Sequence, residues 1–425
     1  MTLFEEFEWR GMVYDATDGT REALAKEKVT AYIGFDPTAS SLHVGSLLPI
    51  MALARLQRFG HSPIALVGGG TGMIGDPSGK SQERSLLSIE EIDANARGMR
   101  AQLERFLDFT STPNAARMMN NADWLRTIGL LEFLRDTGKY FTVNYMLAKE
   151  SVKRRLGADE GISFTEFSYL LLQAHDYLHL HRAVGCTLQM GGSDQWGNIV
   201  AGCDLIRKVE GGKAHGLVLP LVTTSAGTKF GKTEAGTVWL DPERTSPFKF
   251  YQFWLNSDDR DVIKYLKFFT FLDRAMIDAL DKTVSDAPEK RDAQRTLARE
   301  VTSMVHGSEG LANAERASSV LYGGTVAGLS TDDLLMVFED VPSATVAADR
   351  LRAGMPSTEL LVASGVAASK SEGARLIKQG GVTINDVKLT DERGTITLDQ
   401  SLNGRLYVIR KGRRQTHVVR VSENV

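Results

Sequence analysis

The sequence has few of the features that mark exported, membrane or disulfide-stabilised proteins. Its 425 residues include only two cysteines, Cys186 and Cys203, and neither belongs to a CxxC pair. This excludes a disulfide framework and a cysteine zinc site. Glu5, Glu6 and Glu8 stand where a signal peptide needs a positive end and an apolar core. No apolar run of about 18 residues follows, which argues against a membrane-spanning helix. We therefore expect a reducing, cytoplasmic setting.

Net charge is also nearly absent. The 50 Lys and Arg residues balance 53 Asp and Glu residues, and 42% of the chain is hydrophobic, which is typical of packed globular domains. The length predicts two to three domains of about 150 residues each. Residues 351–425 carry 12 basic and 7 acidic side chains. Such a basic unit is typical of a protein with a phosphate-rich partner such as RNA, although a solvated basic face explains it equally.

Strand and helix patterns alternate through the first half of the chain. β-Branched and aromatic residues at 29–35 predict a strand, and a helical pattern follows over 42–59. The alternation recurs, with strands predicted at 63–67, 115–119 and 187–190 and helices at 122–135 and 195–208. This predicts an α/β fold with a Rossmann-like parallel sheet covered on both faces. The loops 34–46, 68–84 and 191–195 then line one site at the carboxyl ends of the strands.

The pattern changes after this α/β domain, which we place at 1–220. Residues 221–246 are polar and aperiodic, as in a mobile loop. Helical periodicity over 247–322 predicts an α-helical domain. A stretch rich in Gly, Ser, Thr, Ala and Asp at 323–354 is interpreted as a linker. The remaining residues, 355–425, form a small basic α+β domain in this prediction.

The turn after the first strand has the features of an anion site. The segment 37–46 stands at a predicted helix N-terminus, where unpaired N–H groups and a partial positive charge stabilise an anion. Thr38, His43 and Ser46 add side-chain donors, and Gly45 lets a nucleotide approach the backbone closely. A plain helix cap with an incidental histidine explains the same residues.

A second basic motif lies in the polar loop. The sequence KFGKT at 229–233 places two ammonium groups, those of Lys229 and Lys232, beside the hydroxyl of Thr233. Together they can hold a polyphosphate, and a flexible loop lets them close as negative charge moves onto the leaving pyrophosphate. Two surface lysines in a solvated turn are the alternative. The presence of His43 upstream favours nucleotidyl transfer without a covalent enzyme intermediate.

Six short motifs follow one another in order along the chain. They are YIGFDPT at 32–38, HVGS at 43–46, IGDPSGK at 74–80, FTEFSY at 164–169 with its continuation to Asp176, the segment 189–198, and KFGKT at 229–233. In this order they resemble the motifs of bacterial tyrosyl-tRNA synthetases, a family of class I aminoacyl-tRNA synthetases. The resemblance covers essentially the whole chain.

The resemblance implies a pocket for L-tyrosine. Tyr32 and Asp176 would hydrogen-bond the substrate phenol, and phenylalanine would be rejected because it leaves both groups unpaired. The substrate ammonium would be held by Asp76, Tyr169 and Gln173, and Gln195 would lie near the reacting carboxyl group. Tyr169, Gln173 and Asp176 have the spacing of one helix face. A buried stripe with polar interruptions is the alternative for that face.

The resemblance also implies an ATP site. The residues near adenosine, ribose and phosphate would be Gly34, Asp36, His43, Ser46, Gly191, Gly192, Asp194 and Lys232. The catalytic residues at the outer phosphates would be Thr38, His43, Lys80, Arg84, Lys229, Lys232 and Thr233. Ser46 stands where many family members have a second histidine or an asparagine, so the side chain is shorter and we expect a ribose contact to be weakened or re-routed. Lys80 and Arg84 fit an exposed basic turn as well.

The C-terminal segment 359–414 resembles a small RNA-binding module first named for a ribosomal small-subunit protein. Contact with tRNA phosphates is then implied for Lys370, Arg375, Lys378, Arg410, Lys411, Arg413 and Arg414. A basic appendage without a partner is the alternative.

The resemblance implies a ligase that activates L-tyrosine with ATP and then transfers tyrosine to the terminal adenosine of tRNA(Tyr). Tyrosyl-adenylate is the intermediate and pyrophosphate the first product. Mg²⁺ is expected to accompany the ATP phosphates, because the sequence contains no dedicated metal cage. A homodimer is also implied, and the apolar segment 127–156 fits an interface or a buried core. Neither a membrane nor DNA is expected as a partner.

Two other interpretations remain open. A tryptophanyl-tRNA synthetase would have the same fold, but Tyr32, Asp176 and the basic C-terminal module favour tyrosine. A non-catalytic RNA-binding or RNA-chaperoning protein could keep a synthetase-like body. Such a protein would be expected to lose His43, Lys229 or Lys232, and all three are present.

Overall fold

The computed structural model describes most of the chain. The described residues are 1–78, 87–110, 112–157, 161–228, 230–233, 236–321, 323–339, 341–412 and 415–423, with the backbone only at 151, 232 and 233. The chain divides into two compact units. The first comprises Met1–Ser246 with Phe253–Val305, and the second comprises Pro247–Gln252 with His306–Val425.

A six-stranded sheet forms the centre of the first unit. Its strands are β1 Asp15–Ala16, β2 Thr30–Phe35, β3 Ser62–Val67, β4 Arg117–Asn120, β5 Cys186–Gly192 and β6 His215–Leu219. They are arranged in the order β1-β6-β5-β2-β3-β4. The strands from β2 to β6 are parallel, and β1 is antiparallel to β6. The parallel sheet predicted from sequence is therefore confirmed.

Helices surround this sheet. They are α1 Leu3–Arg10, α2 Thr20–Lys26, α3 Leu47–Arg58, α4 Ile89–Leu103, α5 Ala122–Leu125, α6 Leu130–Asp136, α7 Val143–Leu147, α8 Glu150–Leu156, α9 Phe164–Val184, α10 Trp196–Glu210, α11 Pro247–Leu255, α12 Asp259–Phe269, α13 Arg274–Asp286 and α14 Asp292–Leu321. The boundary between the two units falls within α11 and α14. The backbone of α14 leaves helical geometry at Gly307.

Helix α9 has a capping residue at each end. Its N-cap is Ser163, whose hydroxyl accepts from the backbone N–H of Glu166, and it ends at Gly185 in the left-handed region. Leu178 packs in one buried cluster with Leu205 of α10 and with residues of the sheet. This burial turns the polar side chains of α9 toward the carboxyl ends of the strands.

Two predicted helices differ from the structure. The helix predicted over 42–59 begins only at Leu47, because residues 42–44 form backbone hydrogen bonds with an extended segment at 238–240. The helix predicted over 122–135 is divided into α5 and α6. Gly129 has extended backbone dihedrals and precedes α6.

The polar segment 221–246 contains a small hairpin, formed by β7 Lys232–Thr233 and β8 Gly236–Thr237. Its backbone is therefore partly ordered by pairing that the sequence pattern does not reveal. Across the described residues, no helix is both long and apolar enough to cross a membrane.

The second unit contains a five-stranded sheet, a separate two-stranded sheet formed by β10 and β13, and short helices. Its strands are β9 Ser343–Ala347, β10 Met355–Pro356, β11 Val382–Ile384, β12 Val387–Lys388, β13 Thr395–Ile396, β14 Leu406–Lys411 and β15 Gln415–Ser422, and its later helices are α15 Thr331–Val337, α16 Ala348–Arg352, α17 Ser357–Ala363 and α18 Lys370–Lys378. The order in the sheet is β12-β11-β14-β15-β9.

The segment 323–354 differs from the linker that its composition suggested. It contains α15, β9 and α16, and β9 pairs in parallel with β15 at the end of the chain. Leu334 and Phe338 are buried in a cluster with Val418. Composition misled here because short, small side chains suit an edge strand as well as a linker.

Candidate active site

The site lies where the strand order of the first sheet reverses. The chain passes from β2 to β3 and β4 on one side, and the connection after β4 brings it to β5 on the other side of β2. Gly34, near the end of β2, is exposed, and nothing lies within 4 Å of where its Cβ would be. Open space therefore lies beside the central strand, where the sequence predicted a ligand.

Two buried polar groups face this region without a partner. Tyr32 and Gln189 are register partners on β2 and β5 and are 1% and 2% exposed. Among the described residues, neither the Tyr32 hydroxyl nor Oε1 of Gln189 has a hydrogen-bond partner. Burying an unpaired polar group costs about 1–3 kcal/mol. A ligand that hydrogen-bonds there would remove this cost.

Asp176 of α9 is a buried carboxylate beside Tyr32. It is 2% exposed, accepts from Nδ2 of Asn121 at 2.8 Å and accepts from Nε1 of Trp124 at 2.7 Å. Burial raises the pKa of Asp176 to about 7, the two donors oppose that rise, and the charge of Asp36 adds to it. Burial, followed by the negative charge of Asp176, also raises the pKa of Tyr32 well above its usual value. The pair thus combines a neutral hydroxyl with a carboxylate acceptor.

Three carboxylates surround the buried phenol of Tyr169. Its hydroxyl donates to Oδ2 of Asp36 at 3.3 Å, while Thr71 donates to Oδ1 of the same carboxylate at 3.0 Å. Burial first, and then Asp36, Asp76 and Asp176, raise the pKa of Tyr169 well above its usual value. Several acids close together favour a bound cation. An ammonium group fits this position.

Asn198 joins the polar side chains on the other side of the site. Its Nδ2 donates one N–H to Oε1 of Gln173 at 3.0 Å, and the other N–H is shared between Oε1 of Gln195 and Oγ of Ser78, each at 3.3 Å. Nε2 of Gln195 in turn donates to Oδ2 of Asp76 at 2.7 Å. The amide orientations of Gln173 and Gln195 are therefore fixed by a neighbour that is itself buried.

The end of β5 accommodates little besides glycine. A Cβ at Gly192 would lie 2.5 Å from Oδ1 of Asp194, and one at Gly191 would lie 3.2 Å from Cβ of Gln195. Asp194 itself is exposed and accepts from Gln195 at 3.2 Å. An exposed carboxylate beside bare backbone suits a sugar hydroxyl, which is the role predicted for these residues.

The tautomer of His43 follows from its hydrogen bond. Nδ1 of His43 accepts from the backbone N–H of Gly45 at 3.0 Å. Because an amide only donates, the neutral imidazole carries its proton on Nε2. The ring therefore has a donor suited to an anion such as phosphate. Thr38 and Ser46, on either side of His43 in the chain, are exposed and half-buried respectively.

The KFGKT segment packs directly against the HVGS turn. A Cβ at Gly231 would lie 2.5 Å from Cγ2 of Val44, and the φ angle of Gly231 is +79°. Only glycine fits such a position without strain. The predicted catalytic residues Lys80, Arg84 and Lys229 lie outside the described residues, as do the side chains of Lys232 and Thr233. Their roles stay predictions.

The C-terminal basic residues divide into two groups. Lys370, Arg375 and Lys378 are exposed on α18. Lys370 pairs with Glu359 at 3.0 Å and Lys378 with Glu392 at 3.3 Å. Exposed ion pairs of this kind are weak, so phosphate can compete for these ammonium groups.

Arg410 is in the second group, and the structure corrects its prediction. Its side chain is 9% exposed, pairs with Asp386 and donates to the carbonyl oxygens of Val320 and Gly324. A guanidinium held in this way stabilises the unit and does not face a partner. Lys411 is half-buried and donates to the carbonyl of Val366 and to Glu372. Arg413 and Arg414 lie outside the described residues.

Sequence reasoning missed Asn121, Trp124, Asn198 and Gln189 as site residues. Asn198 and Gln189 bound a recognised motif, so polar side chains at its two ends were an available signal. Asn121 and Trp124 gave none, because the neighbouring residues were interpreted as an ordinary helix. They lie 55 and 52 residues from Asp176 in the chain.

Two family models match the chain. One, for class I tRNA synthetases (W and Y), matches residues 24–323. The other, for the C-terminal domain of tyrosine–tRNA ligases, matches residues 333–419. Together they cover both compact units.

Relatives of known function match over almost the full length. The chain is 56% identical to the tyrosine–tRNA ligase of Roseiflexus castenholzii over 421 residues, covering 99% of each chain. It is 51% identical to the tyrosine–tRNA ligase of Geobacillus stearothermophilus over 423 residues, covering 99% of this chain and 100% of that one.

Solved structures have a similar fold. A C-terminally truncated mitochondrial tyrosyl-tRNA synthetase from Aspergillus nidulans aligns with a TM-score of 0.69 at 32% identity, covering 76% of this chain and 94% of that one. A tryptophanyl-tRNA synthetase from Encephalitozoon cuniculi aligns with a TM-score of 0.53 at 16% identity, covering 73% and 87%. This second likeness shows the fold alone.

Proposed function

The chain belongs to the class I tRNA synthetases, among the tyrosine–tRNA ligases, and we propose from this that the site described above activates L-tyrosine and that the C-terminal unit binds tRNA(Tyr). The family attaches tyrosine to tRNA, and ATP is its energy source. The residue roles below are part of the proposal.

One observation carries the substrate assignment. The unpaired hydroxyl of Tyr32 and the carboxylate of Asp176 are buried side by side. A substrate phenol can donate to Asp176 and accept from Tyr32, which satisfies both. Phenylalanine leaves the Tyr32 hydroxyl without a partner among the described residues and gives Asp176 no donor beyond Asn121 and Trp124, and that cost supplies the specificity. Tryptophan offers a donor but no acceptor, so Tyr32 argues against that substrate.

The remaining side chains orient the other end of the substrate. The Asp76 carboxylate, with the Tyr169 hydroxyl and the Gln173 side-chain oxygen, holds the ammonium group. Gln195, whose side chain is bonded to Asn198, directs the substrate carboxylate toward ATP in this proposal. That carboxylate is already an anion at neutral pH, so its attack on the α-phosphorus needs no general base.

The phosphate end relies on positive charge and donors. Nε2–H of His43 and the hydroxyl of Thr38 meet the outer phosphates, and Lys80, Arg84, Lys229, Lys232 and Thr233 supply the remaining charge and hydrogen bonds. Their interaction is strongest when pyrophosphate forms, which lowers the barrier rather than the substrate dissociation constant. Tyrosyl-adenylate remains bound, and the terminal adenosine hydroxyl of tRNA then attacks its carbonyl and releases AMP.

Mg²⁺ enters with ATP in this proposal. Within the described residues, no group of three or more His, Cys, Asp or Glu side chains has the arrangement of a metal site. The phosphates themselves are then the principal ligands, as is usual for this cation.

We also propose a cytoplasmic location, supported by the fact that Cys186 and Cys203 are free thiols.

A second copy of the chain is the proposed partner of an apolar surface on the first unit. Large hydrophobic side chains are exposed along α6 to α9, namely Leu130, Leu131, Leu134, Val143, Leu147, Leu156 and Phe164. Contiguous exposed apolar surface marks interfaces, and homodimers are the commonest assemblies. Leu131→Lys should produce monomers in sedimentation experiments. Leu221→Lys, at an exposed leucine elsewhere, should not.

The central test is amino-acid-dependent exchange of labelled pyrophosphate into ATP, measured with each of the twenty amino acids and without tRNA. Exchange with tyrosine alone is expected. Exchange with tryptophan would require a different pocket assignment but the same chemistry. If folded protein showed no exchange yet bound RNA, the non-catalytic interpretation would replace this one.

A further inference from the structure

The phenylalanine of the KFGKT segment is buried among aromatic side chains, although the segment around it is polar. Phe230 is 5% exposed. Its ring lies among four others, with centroid distances of 5.4 Å to Phe253, 5.6 Å to Trp254, 4.9 Å to Tyr265 and 5.4 Å to Phe269. Aromatic pairs at such distances contribute about 0.5–1.5 kcal/mol each beyond burial. Phe230 therefore anchors the segment firmly.

Helix α12 holds the chain on the N-terminal side of this anchor as well. Asp261 of α12, itself buried, accepts from the backbone N–H of Ser225 at 2.8 Å. Lys264, one turn further, donates to the carbonyl of Thr223 at 3.0 Å. The helix thus holds residues 223–225 by polar contacts, and its aromatic residues hold Phe230.

The C-terminal end of α12 is tied to α3, the helix that follows the HVGS turn. Arg55 of α3 is buried and donates to the carbonyl oxygens of Lys267, Phe268 and Thr270. Arg10 donates to the carbonyls of Lys267 and Thr270 as well. Cationic donors at a helix C-terminus satisfy its free carbonyls and stabilise its dipole.

The residue after Phe230, Gly231, connects the KFGKT segment to the HVGS turn. Gly231 lies against Val44, and the backbone N–H of Val238 donates to the Gly231 carbonyl at 3.1 Å. Val44 in turn donates to the Val238 carbonyl at 3.0 Å. The HVGS turn, α3, α12 and the KFGKT segment therefore form one connected arrangement.

We propose that Phe230 is a positioning residue for adenylate formation. Its ring, seated on α12, fixes the backbone at Gly231 against the HVGS turn. This anchor determines where Lys229 and Lys232 can bring their charge to the phosphates bound by His43. The role rests on the proposed function, because it requires that Lys229 and Lys232 act on pyrophosphate. A misplacement of about 1 Å at such a site costs on the order of 100-fold in rate.

The test compares Phe230→Leu with Phe7→Leu, a matched loss at a buried phenylalanine of α1. Tyrosine dissociation constants, kcat and KM for ATP in pyrophosphate exchange, and thermal midpoints are measured for both. In Phe230→Leu, kcat should fall about 10- to 100-fold while the tyrosine dissociation constant changes by less than about twofold. In Phe7→Leu, kcat should stay within about twofold despite a similar loss of stability.

A second variant approaches the same contact from the helix. The rings of Phe269 and Phe230 are stacked at an interplanar angle of 10°, so Phe269→Leu should reproduce the loss of kcat even if Phe230→Leu fails to fold. The double variant should lose less than the sum of the two single effects.

The possible outcomes distinguish a failure of the positioning role of Phe230 from a failure of the proposed function. Unchanged kcat in folded Phe230→Leu or Phe269→Leu, with an active wild-type protein, would overturn the positioning role alone. A kcat loss no larger than that of Phe7→Leu would do the same. Absence of tyrosine-dependent exchange in the wild-type protein would overturn the proposed function, and the positioning role with it.

Discussion

The indole nitrogen of Trp124 donates to Oδ1 of Asp176 across 2.7 Å, between two residues that are both buried. This hydrogen bond and the one from Asn121 to Oδ2 stabilise the carboxylate. They therefore oppose the rise in the pKa of Asp176 that burial causes. Asp176 therefore stays ionised closer to neutral pH than burial alone would allow. In the proposed function, the substrate phenol donates to that ionised acceptor.

Removing the indole donor should shift the pH dependence of tyrosine binding. In Trp124→Phe, the pKa of Asp176 should rise above its value of about 7, because one stabilising hydrogen bond to the anion is lost. Tyrosine affinity should then fall at neutral pH and recover in more alkaline buffer. Calorimetric titrations across the neutral range, with Trp9→Phe as control, test this. Identical pH profiles for wild type and Trp124→Phe would contradict the assignment.

Asp176 should also make the free energy of unfolding depend on pH. Its pKa is about 7 in the folded protein against 3.8 for the model compound, so the folded state binds a proton more tightly. Its contribution to the free energy of unfolding therefore falls as pH rises from about 4 to about 7. His175 opposes this, because burial lowers its pKa to about 4. Urea denaturation of wild type and Asp176→Asn isolates the carboxyl contribution, since only the wild type should contain it.

Tyr32→Phe should separate stability from specificity. The substitution removes a buried hydroxyl that has no partner among the described residues, so the free energy of unfolding should be unchanged or rise slightly. Affinity for tyrosine should weaken by about 1 kcal/mol, roughly fivefold, while affinity for phenylalanine should improve. Urea denaturation and equilibrium dialysis with both amino acids provide the readout. A large loss of stability would mean that the hydroxyl has a partner in the protein.

Lys232→Ala should act on the transition state and not on substrate binding. Its charge is needed mainly as pyrophosphate forms. We expect a fall in kcat of at least about 100-fold, with the tyrosine dissociation constant unchanged. Stopped-flow measurement of adenylate formation, with Lys26→Ala as control, distinguishes the two. Equal losses in kcat and in tyrosine affinity would rule out this role.

Substitutions of basic residues in the C-terminal unit should have two kinds of effect. Those at residues bonded within the unit should lower stability, and those at exposed residues should weaken tRNA binding. Arg410→Met removes a part-buried pair with Asp386 and the donors to two carbonyl oxygens, so the second unit should lose on the order of 1–3 kcal/mol of stability. Lys370→Ala, at an exposed position, should leave stability unchanged and weaken tRNA binding with a reduced salt dependence. Chemical denaturation and tRNA filter binding give both quantities. A stable Arg410→Met protein with weak tRNA binding would restore our original prediction for Arg410.

Local patterns predicted much of the site. The strand at 29–35, the helix containing Tyr169, Gln173 and Asp176, and the turns that join strands to helices all depend on neighbours within a few residues. Their residue types therefore carry the information, and the parallel sheet follows from their alternation. The start of α3 escaped prediction because residues 42–44 bond to a segment about 200 positions away.

The sequence by itself determined the alternation of strands and helices in the first unit, the order of the six motifs and the charges available to the chemistry, because helix and strand periodicity, caps and glycine turns are local properties of the backbone. Only the tertiary structure decided which polar groups are buried. Trp124 meets Asp176, Asn198 orders two glutamines, Arg410 turns inward and Phe230 is seated on α12 through contacts between distant segments. Burial sets the strength of each of these interactions, because desolvation and pairing depend on what the rest of the chain places around a side chain.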